Sequence, residues 1–261
     1  MNVVVCIKQV PSKIKIEIDP QTNTLIRGGS DNTINPFDMY ALEEGIRLKE
    51  RYQGKVIVIS MGPPQAEETL KEAIALGADE AILLSDPVFE GSDTWATSYV
   101  LSKGLMRLGH FDIVLCGRQS IDGETGQVGP QLAELMGLPF VSYVSKVEEM
   151  RDGQMKMQRM VEGGHQLIEM TLPGVISVVK EINVPRLPSL RGLMQSKKGR
   201  ITTWTAQELG VDVNKVGLSG SPTQIVKVFY PQRIRQVELL QGSMESQVNQ
   251  LIEKLRETKV L

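Results

Sequence analysis

Four short apolar runs, each followed by a stretch with helical punctuation, constrain this chain more than any other feature. The runs are 3–7 (VVVCI), 55–60 (KVIVIS), 81–84 (AILL) and 112–117 (DIVLCG). A strand with so few polar positions is covered on both faces, as in a parallel sheet clad by helices. Between the runs, Asn35-Pro36-Phe37-Asp38 opens a helix, with Asn35 as N-cap, Pro36 in the first turn and Asp38 near the positive end. That helix is expected to run to about Tyr52 and stop at Gly54. A second follows Gly62-Pro63-Pro64 and stops at Gly77; a third starts near Ser92-Asp93 and stops at Gly109. The alternation predicts an α/β fold built on a doubly wound, mostly parallel sheet. With 41% apolar residues in 261, a sizeable core can be buried.

After about residue 140 the pattern changes. Asp152-Gly153 and Gly163-Gly164 are turn signals separated by runs of hairpin length. With 175–179 (VISVV) they predict an antiparallel meander added to the parallel sheet. Pro185, Pro188 and Arg191-Gly192 then break regular structure. Beyond Gly217–Gly220 the chain reads as an arm, which divides it into a domain at 1–220 and a C-terminal arm at 221–261. The arm ends in an amphipathic helix with Met244, Val248, Leu251, Ile252 and Leu255 on one face. Such a helix needs a surface to lie on, either its own domain or a partner subunit.

Several chemistries find no material here. A net charge of −2, from 29 basic and 31 acidic side chains, gives no reason to expect nucleic acid. No apolar run approaches the roughly 20 residues that a bilayer crossing needs. No basic, apolar leader with a cleavage site is visible, and Cys6 and Cys116 both sit inside strand-like runs, where they read as inert core thiols. A reduced, cytoplasmic setting is the expectation. The two histidines, His110 and His165, stand in no ligand spacing, so no metal site is expected. Nucleophile-elbow, P-loop and G-x-G-x-x-G patterns are all missing.

What remains is a set of loops at the carboxyl ends of strands, where open parallel sheets bind ligands. Lys8–Pro11 follows the first strand, and Ser60–Pro64 is a small-residue turn into a helix. Gly91–Ser98 places four hydroxyls and an acid at a helix start, and Gly117–Pro130 carries glycines at 123, 126 and 129. Those glycines let backbone N–H groups approach a ligand, and the helix start that follows favours negative charge. Arg118 is placed to offset a pyrophosphate, and Asp122 or Glu124 to accept from ribose hydroxyls. The same residues equally suit a loop whose glycines only make turns, and Ser92 and Asp93 equally suit a simple helix cap.

Five segments then bear a family likeness: 5–11 (VCIKQVP), 35–38 (NPFD) with Ala41-Leu42-Glu43, 61–64 (MGPP), 75–81 (ALGADEA) and 117–123 (GRQSIDG). In this order and spacing, over roughly residues 1–230, the chain resembles the small (beta) subunit of electron-transfer flavoproteins. The resemblance implies a heterodimer whose larger alpha subunit carries a redox FAD, with the arm at 221–261 wrapped around alpha. In the housekeeping type the beta nucleotide is AMP; in the electron-bifurcating type it is a second FAD that accepts hydride from NADH. The segments 91–98 and 122–131 look like the bifurcating type, which would pass electrons to ferredoxin or flavodoxin and, through the alpha FAD, to a partner dehydrogenase, as in anaerobic metabolism.

Carried over residue by residue, the resemblance assigns cofactor binding to Cys6, Ile7, Lys8, Asn35, Asp38, Ser60, Met61, Gly62, Asp93, Thr94 and Thr97. The same set continues through Arg118, Gln119, Asp122, Gly123, Glu124, Thr125, Gly126, Gln127, Val128, Gly129 and Pro130. No side chain is expected to act as a general acid or base. Phe37 is placed either against the alpha flavin or in the core. The segment 185–198 resembles the family's recognition loop, with Leu190 as apolar anchor and Met194, Lys197 and Lys198 beside it. Its neighbours depart from the housekeeping pattern, so the partner is an acyl-CoA-dehydrogenase-like or another flavin dehydrogenase. The rival readings are a carrier with structural AMP, and a free-standing nucleotide-binding regulator of the universal-stress type.

Overall fold

The computed structural model describes residues 1–12, 17–18, 25–26, 32–226 and 237–260. They form two compact units, Met1–Gln224 and Ile225–Leu261. The predicted elements are present in the first. β1 (Asn2–Cys6) leads, through the short strands β2 (Gln9–Pro11), β3 (Glu17–Ile18), β4 (Leu25–Ile26) and β5 (Asn32–Ile34), to α1 (Pro36–Tyr52). Then come β6 (Lys55–Met61), α2 (Glu67–Leu76), β7 (Glu80–Leu84), α3 (Thr94–Leu108), β8 (Ile113–Gly117) and α4 (Val128–Met136). β9 (Phe140–Arg151), β10 (Gln154–Val161), β11 (Gly164–Thr171) and β12 (Gly174–Val178) follow, then α5 (Leu190–Lys198), β13 (Ile201–Trp204) and α6 (Ala206–Leu209).

Nine strands make one sheet in the order β11-β10-β9-β12-β8-β1-β6-β7-β13. Every pairing from β9 across to β13 is parallel, and β10 and β11 add an antiparallel edge. Alternation along the strands sorts side chains to two cores. Val3, Val5, Val56 and Val58 pack with Leu42, Ile46 and Leu70 of α1 and α2. Val4, Cys6, Ile57 and Ile59 pack with Val100, Leu105 and Leu132 of α3 and α4.

Three expectations are corrected. The segment 175–179 does not extend the meander: β12 pairs in parallel with both β8 and β9, so it is an interior strand of the main sheet. All five residues of β12 are buried, and a run whose one polar side chain is Ser177 suits a doubly covered position better than a half-wet edge. The segment after Pro188 is not irregular. Ser189 caps α5 by accepting from the Gly192 N–H at 3.0 Å, and β13 then joins the sheet beside β7. Finally, Asn35 does not cap α1 with its side chain, which reaches elsewhere.

In the second unit, α7 (Met244–Glu257) is capped by Ser243 and carries Met244, Val248 and Leu251 exposed. The part of the expected arm at 227–236 lies outside the described residues.

Candidate functional site at the sheet's switch point

The chain runs from β1 outward through β6 and β7, then returns to place β8 on the other side of β1. The carboxyl ends of β1 and β8 therefore diverge toward loops on opposite sides of the sheet, and a crevice opens between them. Its floor is fastened by α1. The Asp38 carboxylate accepts from the Lys8 N–H at 2.8 Å and from the Gly117 N–H at 3.2 Å, bridging the two strand ends. Gly117 is obligatory there, since a Cβ would lie 2.6 Å from the Phe37 carbonyl carbon. Asn35 donates to the Gln119 carbonyl at 2.9 Å and accepts from the Ile121 N–H at 3.2 Å, which fixes the start of the glycine loop. The Lys8 ammonium meets the Asp122 carboxylate at 2.7 Å across the mouth.

Burial pushes the Asp38 carboxyl up to about 7, against the pull of hydrogen bonds from Asn35, Lys8 and Gly117. Asp122 behaves oppositely: burial raises it, but the Lys8 ammonium wins and holds it below the usual carboxylate range. Cys6 and Cys116 sit side by side on β1 and β8, both buried. The hydrogen bond from Cys6, with burial added, holds Cys116 well above the ordinary thiol range, so it stays protonated.

The loop from Asp122 to Gln127 is exposed. Glu124 and Gly126 turn it through the left-handed region, at φ 54° and 63°, and Gly126 has the Arg118 carbonyl beneath it. The loop ends in the N-terminus of α4, with Val128, Gly129 and Pro130 in its first turn. The start of α3 is tied to it, because the Thr94 hydroxyl donates to Gln127 Oε1 at 3.0 Å and the Ser98 hydroxyl to Gln131 Oε1 at 3.2 Å. Asp93 caps α3 through the N–H groups of Trp95 and Ala96, and its other oxygen accepts from the Thr223 N–H and hydroxyl. Burial raises its carboxyl, but these bonds together bring it below the usual range. At the end of β6, beside β1, the Ser60 hydroxyl is sealed from solvent with no hydrogen-bond partner among the described residues. Such a group normally has a partner.

Residues 22–209 match the electron transfer flavoprotein domain. The chain is 48% identical to the electron transfer flavoprotein subunit beta of Thermoanaerobacterium thermosaccharolyticum, over all of both chains. The chain belongs to the electron transfer flavoprotein family, as a beta subunit. It is also 42% identical to the caffeyl-CoA reductase-Etf complex subunit CarD of Acetobacterium woodii, over the full length of both. With the protein FixA of Sinorhizobium fredii it shares 40% identity, over 97% of this chain and 92% of that one. No described helix is long and apolar enough to cross a membrane, and the described residues hold no metal-ligating cluster.

The structure of this beta subunit brings the expected cofactor residues of β1, α1, β6, α3 and the 117–130 segment to one edge of the sheet. It separates Leu190, Met194, Lys197 and Lys198, which lie on α5 against α2 and are exposed. Asn35, Asp38 and Asp93 spend their polar atoms on building the crevice. One residue of this edge went unmarked in the sequence. Tyr143 is half-exposed on β9, and its ring centroid lies 5.6 Å from the Arg118 guanidinium carbon. Nothing in the run FVSYVS distinguishes it from an ordinary outward strand residue.

Proposed function

We propose that this beta subunit holds FAD at the switch-point crevice and serves an electron-bifurcating heterodimer. The observation that carries this reading is the open glycine-spaced loop at the switch point; at the end of the neighbouring strand the Ser60 hydroxyl has no partner among the described residues. Backbone N–H groups of Gly123, Gly126 and Gly129, with the free end of α4, would hold the pyrophosphate. Ser60, Thr97 and Arg118 would supply side-chain contacts, while Asn35, Asp38 and the Lys8–Asp122 pair keep the loop in place. When bound, the flavin supplies acceptance of a hydride from NADH and release of electrons singly, to ferredoxin or flavodoxin and to the FAD of the alpha subunit.

The exposed apolar face of α7 would lie on alpha. On α5, Leu190 is 83% exposed and Met194 64%, with Lys197 and Lys198 in the last turn, which suits a transient contact with a flavin dehydrogenase. The naming of the Acetobacterium relative as part of a caffeyl-CoA reductase complex supports a redox enzyme of CoA esters as that partner. A cytoplasmic setting accords with two buried, unpaired thiols. The test is the nucleotide content of the co-purified alpha–beta complex after acid release. Two FAD per heterodimer and no AMP is the expected result; one FAD with one AMP would leave a single-flavin carrier and overturn bifurcation.

A further inference from the structure

An irregularity in the β9–β12 pairing lies beside the crevice. Along β9 and β12 the register steps from Val141 opposite Ile176 to Val144 opposite Val178, so β9 holds one more residue than its partner. The extra residue makes a bulge, and Val141 and Val144 both turn into the same core although they are three apart. Tyr143 sits in that bulge with φ 57°, in the left-handed region that large side chains rarely occupy. A bulge of this kind re-aims a side chain, and a bulky residue held there is strained unless the position requires it.

Its ring is aimed at Arg118, which follows the end of β8. The Arg118 guanidinium also lies 5.3 Å from the centroid of Phe37, in the first turn of α1. Both distances are within cation–π reach. Arg118 Nε donates to Gln119 Oε1 at 3.1 Å, and its backbone N–H to the Val178 carbonyl at 3.0 Å. Among the described residues no carboxylate pairs with this guanidinium. A cation braced by two rings and left without an anion keeps one geometry and a free charge.

We infer that Tyr143 is a further positioning residue of the nucleotide site: with Phe37 it fixes the Arg118 guanidinium as the partner of an anionic group on the bound cofactor. This rests on the proposed nucleotide site. The anionic group is either the pyrophosphate or the charge that a flavin ring takes up on reduction, and two readouts separate them. For the alpha–beta complex freed of nucleotide, the first is the ratio of AMP to adenosine affinity. The second is the midpoint potential of the FAD-loaded site.

Arg118→Ala is expected to lower the AMP-to-adenosine ratio roughly tenfold or more if phosphate is the target, or to shift the potential if the ring is. Tyr143→Leu should change the same readout in the same direction, Tyr143→Phe should behave as wild type, and the double variant should lose no more than Arg118→Ala alone. Tyr143→Gly, which removes the ring and accommodates the positive φ, guards against a folding defect and should match Tyr143→Leu. If wild type binds nucleotide and Tyr143→Leu moves neither readout, or its effect adds to that of Arg118→Ala, the inference is wrong while the site stands. If wild type binds neither AMP nor FAD, the site itself falls and the inference with it.

Discussion

Asp38 offers the sharpest quantitative test of how the crevice is held together. Its carboxyl moves from 3.8 to about 7 on folding because it is buried between two strand ends. That is about three pH units, or about 4 kcal/mol at roughly 1.4 kcal/mol per unit. The folded chain therefore holds a proton that the unfolded chain releases between about pH 4 and pH 7. A raised carboxyl pKa means that its stabilising contribution is complete below the unfolded value and is lost as pH rises through the folded one. Asp38→Asn cannot titrate. It also offers one carbonyl oxygen to two backbone donors, the N–H groups of Lys8 and Gly117, and leaving one unmet costs about 1–3 kcal/mol. At pH 4.5 the variant should be the less stable protein. By pH 8 the gap should have closed or reversed, having drifted by about 3 kcal/mol, since roughly 1 kcal/mol of the total is already lost at pH 4.5. Urea unfolding of the full-length chain at half-unit steps, with equal m-values checked, measures the drift. A wild-type-minus-variant difference that stays flat within about 0.5 kcal/mol from pH 4.5 to 8 would refute the burial argument.

Three other substitutions probe the same framework. Gly117→Ala should cost roughly 1–3 kcal/mol or more and abolish nucleotide retention, because its Cβ would overlap Asp38 and the backbone of Phe37; thermal unfolding and nucleotide content after gel filtration report both. Gly192→Ala places a Cβ onto the Ala75 carbonyl oxygen, so α5 should lift from α2. Electron delivery to the partner dehydrogenase should weaken while bound nucleotide is unchanged, as steady-state reduction assays would show. Thr223→Val removes one hydrogen bond to Asp93 but leaves the cap on α3 intact. A loss of about 1 kcal/mol or less, with faster proteolytic nicking near 221–226 and unaltered helix content, is expected.

Much of this beta subunit was written locally. The runs at 3–7, 55–60, 81–84 and 112–117 became parallel strands because their central residues are apolar on both faces, and Gly77 and Gly109 ended helices where they stand. The glycine loop and the hydroxyl-rich start of α3 could be read as one edge, since strand–helix alternation places every strand's carboxyl end there. The amphipathic face of α7 was equally legible from its period.

Tertiary structure alone decided the rest. The run at 175–179 has no local mark separating a meander strand from an interior one; only the vacant place between β8 and β9 made it parallel. Asn35 looked like a helix cap, but the return of β8 beside β1 brought the Gln119 carbonyl and the Ile121 N–H within its reach. Burial raised the Asp38 pKa, and that burial lies between two strand ends 109 positions apart in the chain, Lys8 and Gly117, which no window of sequence contains together. Tyr143 met Arg118 only because β9 carries one residue more than β12, a difference that exists between strands and not within either. Local propensity determined the elements; the pairing register, a long-range quantity, determined which polar groups were spent on the scaffold and which were left to the site.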